Sequence, residues 1–482
     1  MLLVVTTFRT APARAPAYAA EAMVATSQPL ATRAGLRILE RDGNAVDAAI
    51  AAAAVLSVTE PMSTGIGGDA CALVWRDGGV VGLDAAGPAP LGADPEAPVA
   101  ERGPRSVTVP GAVAGWAAAA ERFGRLGLDT LLADAVDAAE RGFTVGTRTA
   151  ALWSLSEAPS ELGPPPSAGQ QVRLPDLGAT LRRIAEEGPP AFYGGDVAAA
   201  ITAASWLEPE DLDAFRPHWV EPLSVEYRGT TVFELPPPTQ GVAALEGLGL
   251  LALGQPDLRS QVGCIQLALE DAFLSVRDGA DVSGLLDEQR LAARRRERPG
   301  LVQEPAGGTV YLCAVDGERT AVSFIQSLFY GFGSGLVAPG TGVVLQNRGA
   351  CFAVSGHVEP GRRPYHTIIP GLLVRDGSLL GPFGVMGGFL QAQAHLQLVS
   401  ALVDDELDPQ AALDRPRFRV DGDALLVETP LADRADELDG LGLDLVVSDD
   451  VDNFGAGHAI LVDGDALAGG ADARKDGYAA GF

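Results

Sequence analysis

Lysine is almost missing from this chain: Lys475 is the only one among 35 basic residues, which face 63 acidic ones for a net charge of −28. Nucleic-acid binding needs a basic surface to neutralise phosphates, so this balance excludes that class of partner. Cysteine is scarce as well. Cys71, Cys264, Cys313 and Cys351 stand at spacings that match neither zinc-ligand pairs nor the dense framework of a small disulfide-stapled domain. The five histidines, His218, His357, His366, His395 and His458, form no HxxxH pair, so no metal is implied. No uncharged apolar run reaches the ~18 residues of a membrane span. Met1–Thr7 has no basic stretch before a short apolar run, which is not a secretory leader, so a cytoplasmic protein is expected.

What is present is a chain of 482 residues, 47% hydrophobic and 6% aromatic, able to bury a large core as one big α/β domain or two to three smaller ones. The carboxylate excess repels itself at low ionic strength. At ~1 M salt the screening length falls to about 3 Å, so the composition fits a salt-adapted protein, with an ordinary acidic protein as the alternative.

Local signals place the elements. A helix is predicted from about Thr32 to Arg41 and a second, Ala-rich one from Asn44 as cap to about Ser57. Met62-Ser63-Thr64-Gly65-Ile66-Gly67-Gly68-Asp69 precedes a strand, Ala70–Trp75, with a hairpin turn at Asp77-Gly78-Gly79. That order is the reverse of a phosphate loop, which needs strand, glycines, then helix. Further helices are predicted up to Phe123 and from Asp129, as cap, to Arg141, and residues 150–220 read as helical with proline-rich breaks. A hairpin turns at Arg228-Gly229, and a helix follows Pro236–Gly241. Residues 281–308 are charged and read as a solvated linker or a surface loop. The rest is strand-rich, with helices at about Ala392–Val403 and Gln410–Asp414.

The linker ends at Gly307-Gly308-Thr309, the start of an apolar run to Val315; a turn at Asp316-Gly317 leads to a second run, Ala321–Ser327. Glycines before Thr309 let the backbone bend sharply. Threonine is a poor nucleophile until a base takes its proton, and the α-amine of the same residue, with an ordinary pKa of about 7.7–8.0, is within reach. Thr309 is in mid-chain, so that amine exists only if the Gly308–Thr309 bond is cut. These residues equally fit a plain strand that begins with Thr after a glycine turn.

Several further blocks carry a resemblance: Gly43–Ala49, Met62–Asp69, Val109-Pro110-Gly111, Pro236–Gly241, Thr309–Asp316, Gly331–Gly335, Gly387-Gly388 and Gly469–Gly477. With these in order over most of its length, the chain resembles the γ-glutamyltransferase family of N-terminal-nucleophile hydrolases. The resemblance implies a four-layer αββα sandwich and self-cleavage between Gly308 and Thr309. Large (1–308) and small (309–482) parts would then stay together as one unit, a heterodimer of its own fragments with a dimer of these as a further option. It also implies that Thr309 attacks a small-molecule amide to form an acyl-enzyme, that the amides of Gly387 and Gly388 form the oxyanion hole, and that no cofactor takes part.

The departures bear on substrate. Family transpeptidases hold the substrate carboxylate with an Arg in the block matching Asp84–Pro90, which has none here, and its amine with an Asp where this chain reads Asn347–Phe352. A paired serine motif before the oxyanion glycines is replaced by Arg363-Pro364-Tyr365-His366-Thr367. These blocks look more like the subfamily that includes oxamate amidohydrolase. Ser323, Gln326 and Ser327 fall where the family orients the nucleophile, and Asn347, Arg348, Arg363, His366 and Thr367 are candidate substrate contacts. The expected activity is cleavage of γ-glutamyl or similar small acidic amides, with a non-γ-glutamyl acylase or a silent, unprocessed binding relative as alternatives.

Overall fold

The computed structural model describes residues 14–300 and 307–482. The opening Met1–Thr7 and the last part of the 281–308 segment therefore lie partly or wholly outside the described residues. Two seven-stranded sheets form the centre. One runs, in spatial order, Ala17–Ala19, Ala466–Ala471, Ala456–Asp463, Ser378–Met386, Gly371–Arg375, Thr230–Glu234, Leu223–Tyr227. The other runs Tyr478–Gly481, Met23–Thr26, Gly308–Val315, Ala321–Phe329, Asp69–Arg76, Gly79–Ala85, His218–Val220.

The strand Gly308–Val315 shows why four layers form. Val310, Leu312 and Ala314 join the core under one group of helices, whereas Tyr311, Cys313 and Val315 join the core between the sheets. Successive side chains on a strand point to opposite faces, so a strand apolar at every position must be covered on both. Helix Ala45–Thr59 covers it on one side with all of its residues buried. Helices Gly241–Ala252, Leu258–Ser275 and Leu390–Val403 cover the other sheet. The αββα sandwich is what the resemblance implied.

Helix Ala45–Thr59 starts where predicted. Asn44 Oδ1 accepts from the amides of Val46 (3.0 Å) and Asp47 (3.1 Å), and Asp47 Oδ2 accepts from the Asn44 amide (3.1 Å). The Ala45 amide donates to Asp316 Oδ2 at 3.0 Å, which ties this helix end to the turn after the Thr309 strand and puts a carboxylate at the positive end of the helix dipole. Asn44→Ala should cost about 1 kcal/mol of stability, read as a lower urea midpoint with an unchanged slope. The turn itself is longer than the predicted Asp316-Gly317, with Arg319 at φ 61° before the second strand begins at Ala321.

Two expectations are corrected. Asp129 is not a cap: Gly127 is the N-cap residue of a short helix, Leu128–Leu131, with Asp129 in its first turn, and Ala133–Arg141 is a separate helix. An acidic residue is favoured in the first turn as well as at the cap, so composition alone does not separate the two. The 281–308 segment is not solvated throughout. Glu288–Arg294 is helical, and Arg290 pairs with Glu246 and Asp271 (both 2.7 Å) while Arg294 pairs with Glu270 (2.6 Å) and Asp271 (2.9 Å). Those carboxylates come from the two helices before it. Among the described residues no helix is long and apolar enough to cross a membrane, and no group of three metal-ligating side chains occurs.

Candidate active site

Thr309 lies at the start of its strand, where the pairing slips: Gly308 is opposite Phe329 and Val310 opposite Gln326, so Thr309 faces both Ser327 and Leu328. Such a bulge re-aims a side chain. Here it brings Ser327 Oγ within 3.2 Å of Thr309 Oγ1 and 2.8 Å of the Gly308 carbonyl oxygen, which Thr309 Oγ1 also approaches at 2.7 Å. Thr309, 2% exposed, and Ser327 are buried, and Gly308 is half-buried.

Proton counting orders the triangle. Ser327 Oγ accepts from the Phe329 amide (2.9 Å) and from Arg348 Nη2 (3.1 Å), neither of which can act as acceptor. A hydroxyl has two acceptor sites and one proton, so Ser327 has only its proton left to give, and Gly308 O is the shorter recipient. The Gly308 carbonyl is thus polarised by a hydroxyl whose orientation is set by a guanidinium.

Gly387 and Gly388 join strand Ser378–Met386 to helix Leu390–Val403 with φ of 138° and 63°. A Cβ on Gly388 would sit 3.0 Å from Gly307 N and 3.2 Å from Gly307 Cα, so glycine is needed for the chain to pass this closely. Gln240 Nε2 holds this turn by donating to Gly388 O (3.1 Å) and Thr367 O (2.9 Å). Behind it, His395 Nε2 accepts from the Val385 amide (3.1 Å) while Nδ1 faces Glu234 Oε1 (2.6 Å). Burial pushes the His395 ring down to about 3, which suits this neutral role.

The structure brings together Gly308, Thr309, Ser327, Arg348 and Thr367, the last through Arg348 Nη1 (2.9 Å), with Gly388 against Gly307. It does not bring the other candidates to Thr309. Gln326 is next to Ser327 and so points to the opposite face, where it bonds Trp116 Nε1, Ser57 Oγ and Thr64 Oγ1. Ser323 is further up the strand, against Tyr311 OH (2.8 Å) and Phe383 O (3.2 Å). Asn347 ties the Tyr330 amide to Glu101 O. Arg363 is neutralised by Asp84 and Asp278. His366 faces Asp69 Oδ2 (3.0 Å) and accepts from the Ile368 amide (3.3 Å). Burial, with Arg348 adding to it, holds this ring well below the usual histidine range. Asp69, pushed up to about 7 by burial, also takes the Gly87 amide (3.1 Å) and Gln346 Nε2 (2.9 Å).

Phe329 was not anticipated. It has φ 77°, its ring packs against Gly307, and Arg348 lies over it at 4.4 Å. Its sequence signal is weak, because a phenylalanine ending an apolar run reads as core.

Residues 31–482 match the model of the family described as Gamma-glutamyltranspeptidase. The chain is 34% identical to the glutathione hydrolase-like YwrD proenzyme of Bacillus subtilis, over 95% of this chain and 98% of that one. It is 32% identical to the oxamate amidohydrolase proenzyme of Klebsiella pneumoniae, over 95% and 98%. A solved structure of cephalosporin acylase from Bacillus halodurans superposes with a TM-score of 0.92 at 39% identity, covering 100% of this chain and 99% of that one.

Proposed function

The chain belongs to the gamma-glutamyltranspeptidase family and is a hydrolase of the N-terminal-nucleophile type, and from that premise we propose that it cuts itself between Gly308 and Thr309 and then cleaves small amides with Thr309. The observation that carries this reading is the packing of Thr309 Oγ1 and Ser327 Oγ on the Gly308 carbonyl. Thr309 Oγ attacks the Gly308 carbonyl carbon, the C–N bond breaks, and the Gly308 acyl group moves from nitrogen to oxygen. Water then hydrolyses the ester, leaving a carboxylate on Gly308 and a free amine on Thr309. In turnover that amine takes the Thr309 hydroxyl proton and returns it to the leaving amine, while the amides of Gly387 and Gly388 receive the developing oxyanion. A second water resolves the acyl-enzyme.

The parts on either side of the cut remain one unit because both sheets interleave their strands: Gly308–Val315 pairs with Met23–Thr26, and Ser378–Met386 shares a sheet with Thr230–Glu234. The curated relatives named above are a glutathione hydrolase-like protein and an oxamate amidohydrolase, both called proenzymes. The substrate here is a γ-glutamyl or other small acidic amide, and hydrolysis outweighs transfer, because the Arg and Asp of the transpeptidase head-group site are absent. A denaturing gel with N-terminal sequencing tests the reading: purified protein should give two pieces, the second beginning at Thr309.

The salt-adapted reading leads to a further expectation. With a net charge of −28, raising KCl from low to molar concentration should raise the melting temperature. A melting temperature that falls steadily with KCl would refute salt adaptation.

A further inference from the structure

Asp69 opens strand Asp69–Arg76 with no exposure, straight after two glycines whose place a side chain could not take. A Cβ on Gly67 would lie 2.2 Å from Val344 O, and one on Gly68 2.3 Å from Ser327 O. This close approach seats Asp69 opposite Ser327 in the antiparallel pair. Opposite residues share a face, so the carboxylate lies on the side where Ser327 meets Thr309 and Arg348.

Burying a carboxylate is costly unless donors surround it, and here they can be counted. Oδ1 accepts from the Gly87 amide (3.1 Å) and from Gln346 Nε2 (2.9 Å), which also faces Val109 O at 3.3 Å. His366 Nδ1 accepts from the Ile368 amide (3.3 Å), so the ring proton is on Nε2 and is given to Asp69 Oδ2 (3.0 Å). A proton on Asp69 would meet one of these three donors. The geometry therefore fits an ionised Asp69 beside a neutral His366.

The partners of this anion lead to the Gly308 carbonyl. Gln346 stands two residues before Arg348, and His366 one before Thr367, whose Oγ1 accepts from Arg348 Nη1 (2.9 Å). Arg348 is wholly buried with no carboxylate within ion-pair distance among the described residues. Its charge nevertheless acts on Asp69, because Coulomb forces reach further in a protein interior than in water. Arg348 Nη2 donates to Ser327 Oγ, which donates to Gly308 O.

On the reading that Thr309 is the nucleophile, we propose that Asp69 is a positioning residue for self-cleavage. As a carboxylate it holds Arg348 in place through Gln346 and His366-Thr367, and so keeps the Ser327 proton on Gly308 O while negative charge grows there. Protonation would break that hold and leave the guanidinium without a counter-charge. Burial pushes Asp69 up to about 7, so the cut should slow as pH falls through that value. The other titratable groups facing Asp69 change charge elsewhere: His366 is held low, and burial pushes Cys71, Cys351 and Tyr193 up. Asp84 and Arg363, which face His366, are paired with each other. The Thr309 amine does not yet exist.

The test refolds full-length chain from denaturant at pH 5.5 to 8.5 and follows the Thr309-terminated piece by mass spectrometry. The wild-type rate should fall on the acid side of about pH 7. Asp69→Asn should cut about 10-fold or more slowly at pH 8, yet faster than Ser327→Ala, since the donor itself is still present, and its acid limb should be gone. Asp69→Asn combined with Ser327→Ala should be no slower than Ser327→Ala alone, because Asp69 acts through Ser327; a merely structural role would multiply the two losses. Should Asp69→Asn not refold, by circular dichroism, the wild-type profile decides. A flat wild-type profile, an Asp69→Asn chain that cuts at the wild-type rate, or multiplied losses would overturn the inference. A wild type that cuts with a flat profile leaves the Thr309 reading standing; one that stays whole at every pH overturns both.

Discussion

Thr309→Ala should leave the chain whole and silent. The wild type should run as two bands on a denaturing gel, the smaller starting at Thr309, whereas the variant keeps the full length of 482 residues. The reason is chemical rather than structural: Thr309 is already buried at the head of its strand, and alanine fits there, but no oxygen remains to take the Gly308 acyl group. Loss of the nucleophile removes the free amine as well, since without the cut there is no terminus. Activity should fall by about 10⁴-fold or more, as it does when members of a nucleophile and base unit are removed. Thr309→Ser, which keeps the hydroxyl, should restore the cut. A Thr309→Ala protein that still yields the two pieces, or an uncut wild type with full activity, would refute the mechanism.

The second large effect belongs to Ser327. Its single proton is directed to Gly308 O because the Phe329 amide and Arg348 Nη2 fill its acceptor sites. As the tetrahedral intermediate forms, negative charge grows on that carbonyl oxygen, and Ser327 is the donor already in place. Removing one such donor costs ~10²–10³ in rate, about 2.7–4 kcal/mol. Ser327→Ala also leaves two N–H groups facing a void, which adds to the cost. The appearance of the Thr309-terminated piece, followed by mass spectrometry after refolding, should therefore slow by about 10²–10³-fold in Ser327→Ala. Ser327→Thr should recover most of the rate, and a Ser327→Ala chain that cuts itself at the wild-type rate would remove Ser327 from the mechanism.

Much of this was readable in the sequence because it is written locally. Asn44 caps its helix through atoms within three residues, and Arg228-Gly229 turns a hairpin with both residues at positive φ. The strand that begins at Thr309 was legible because glycines precede an unbroken apolar run. Gly387 and Gly388 were singled out by the resemblance, not by local signals, and the structure sets both at positive φ in a turn against Gly307.

What the tertiary structure alone decided is which of several similar residues meet. Ser323, Gln326 and Ser327 were equal candidates in sequence; strand parity sends Gln326 to the other face, distance removes Ser323, and the bulge turns Ser327 to Thr309. Arg348 and Arg363 were equal too, as two arginines beside the same site. Arg363 meets Asp84 and Asp278, which lie far away in sequence, and is neutralised, whereas Arg348 meets hydroxyls, a thiol and a ring. A residue's type and its neighbours in the chain determine the charge it carries and the element it joins. Whether that charge is cancelled depends on partners that only folding brings within a few ångströms, because the cost of a buried ion is set by what surrounds it.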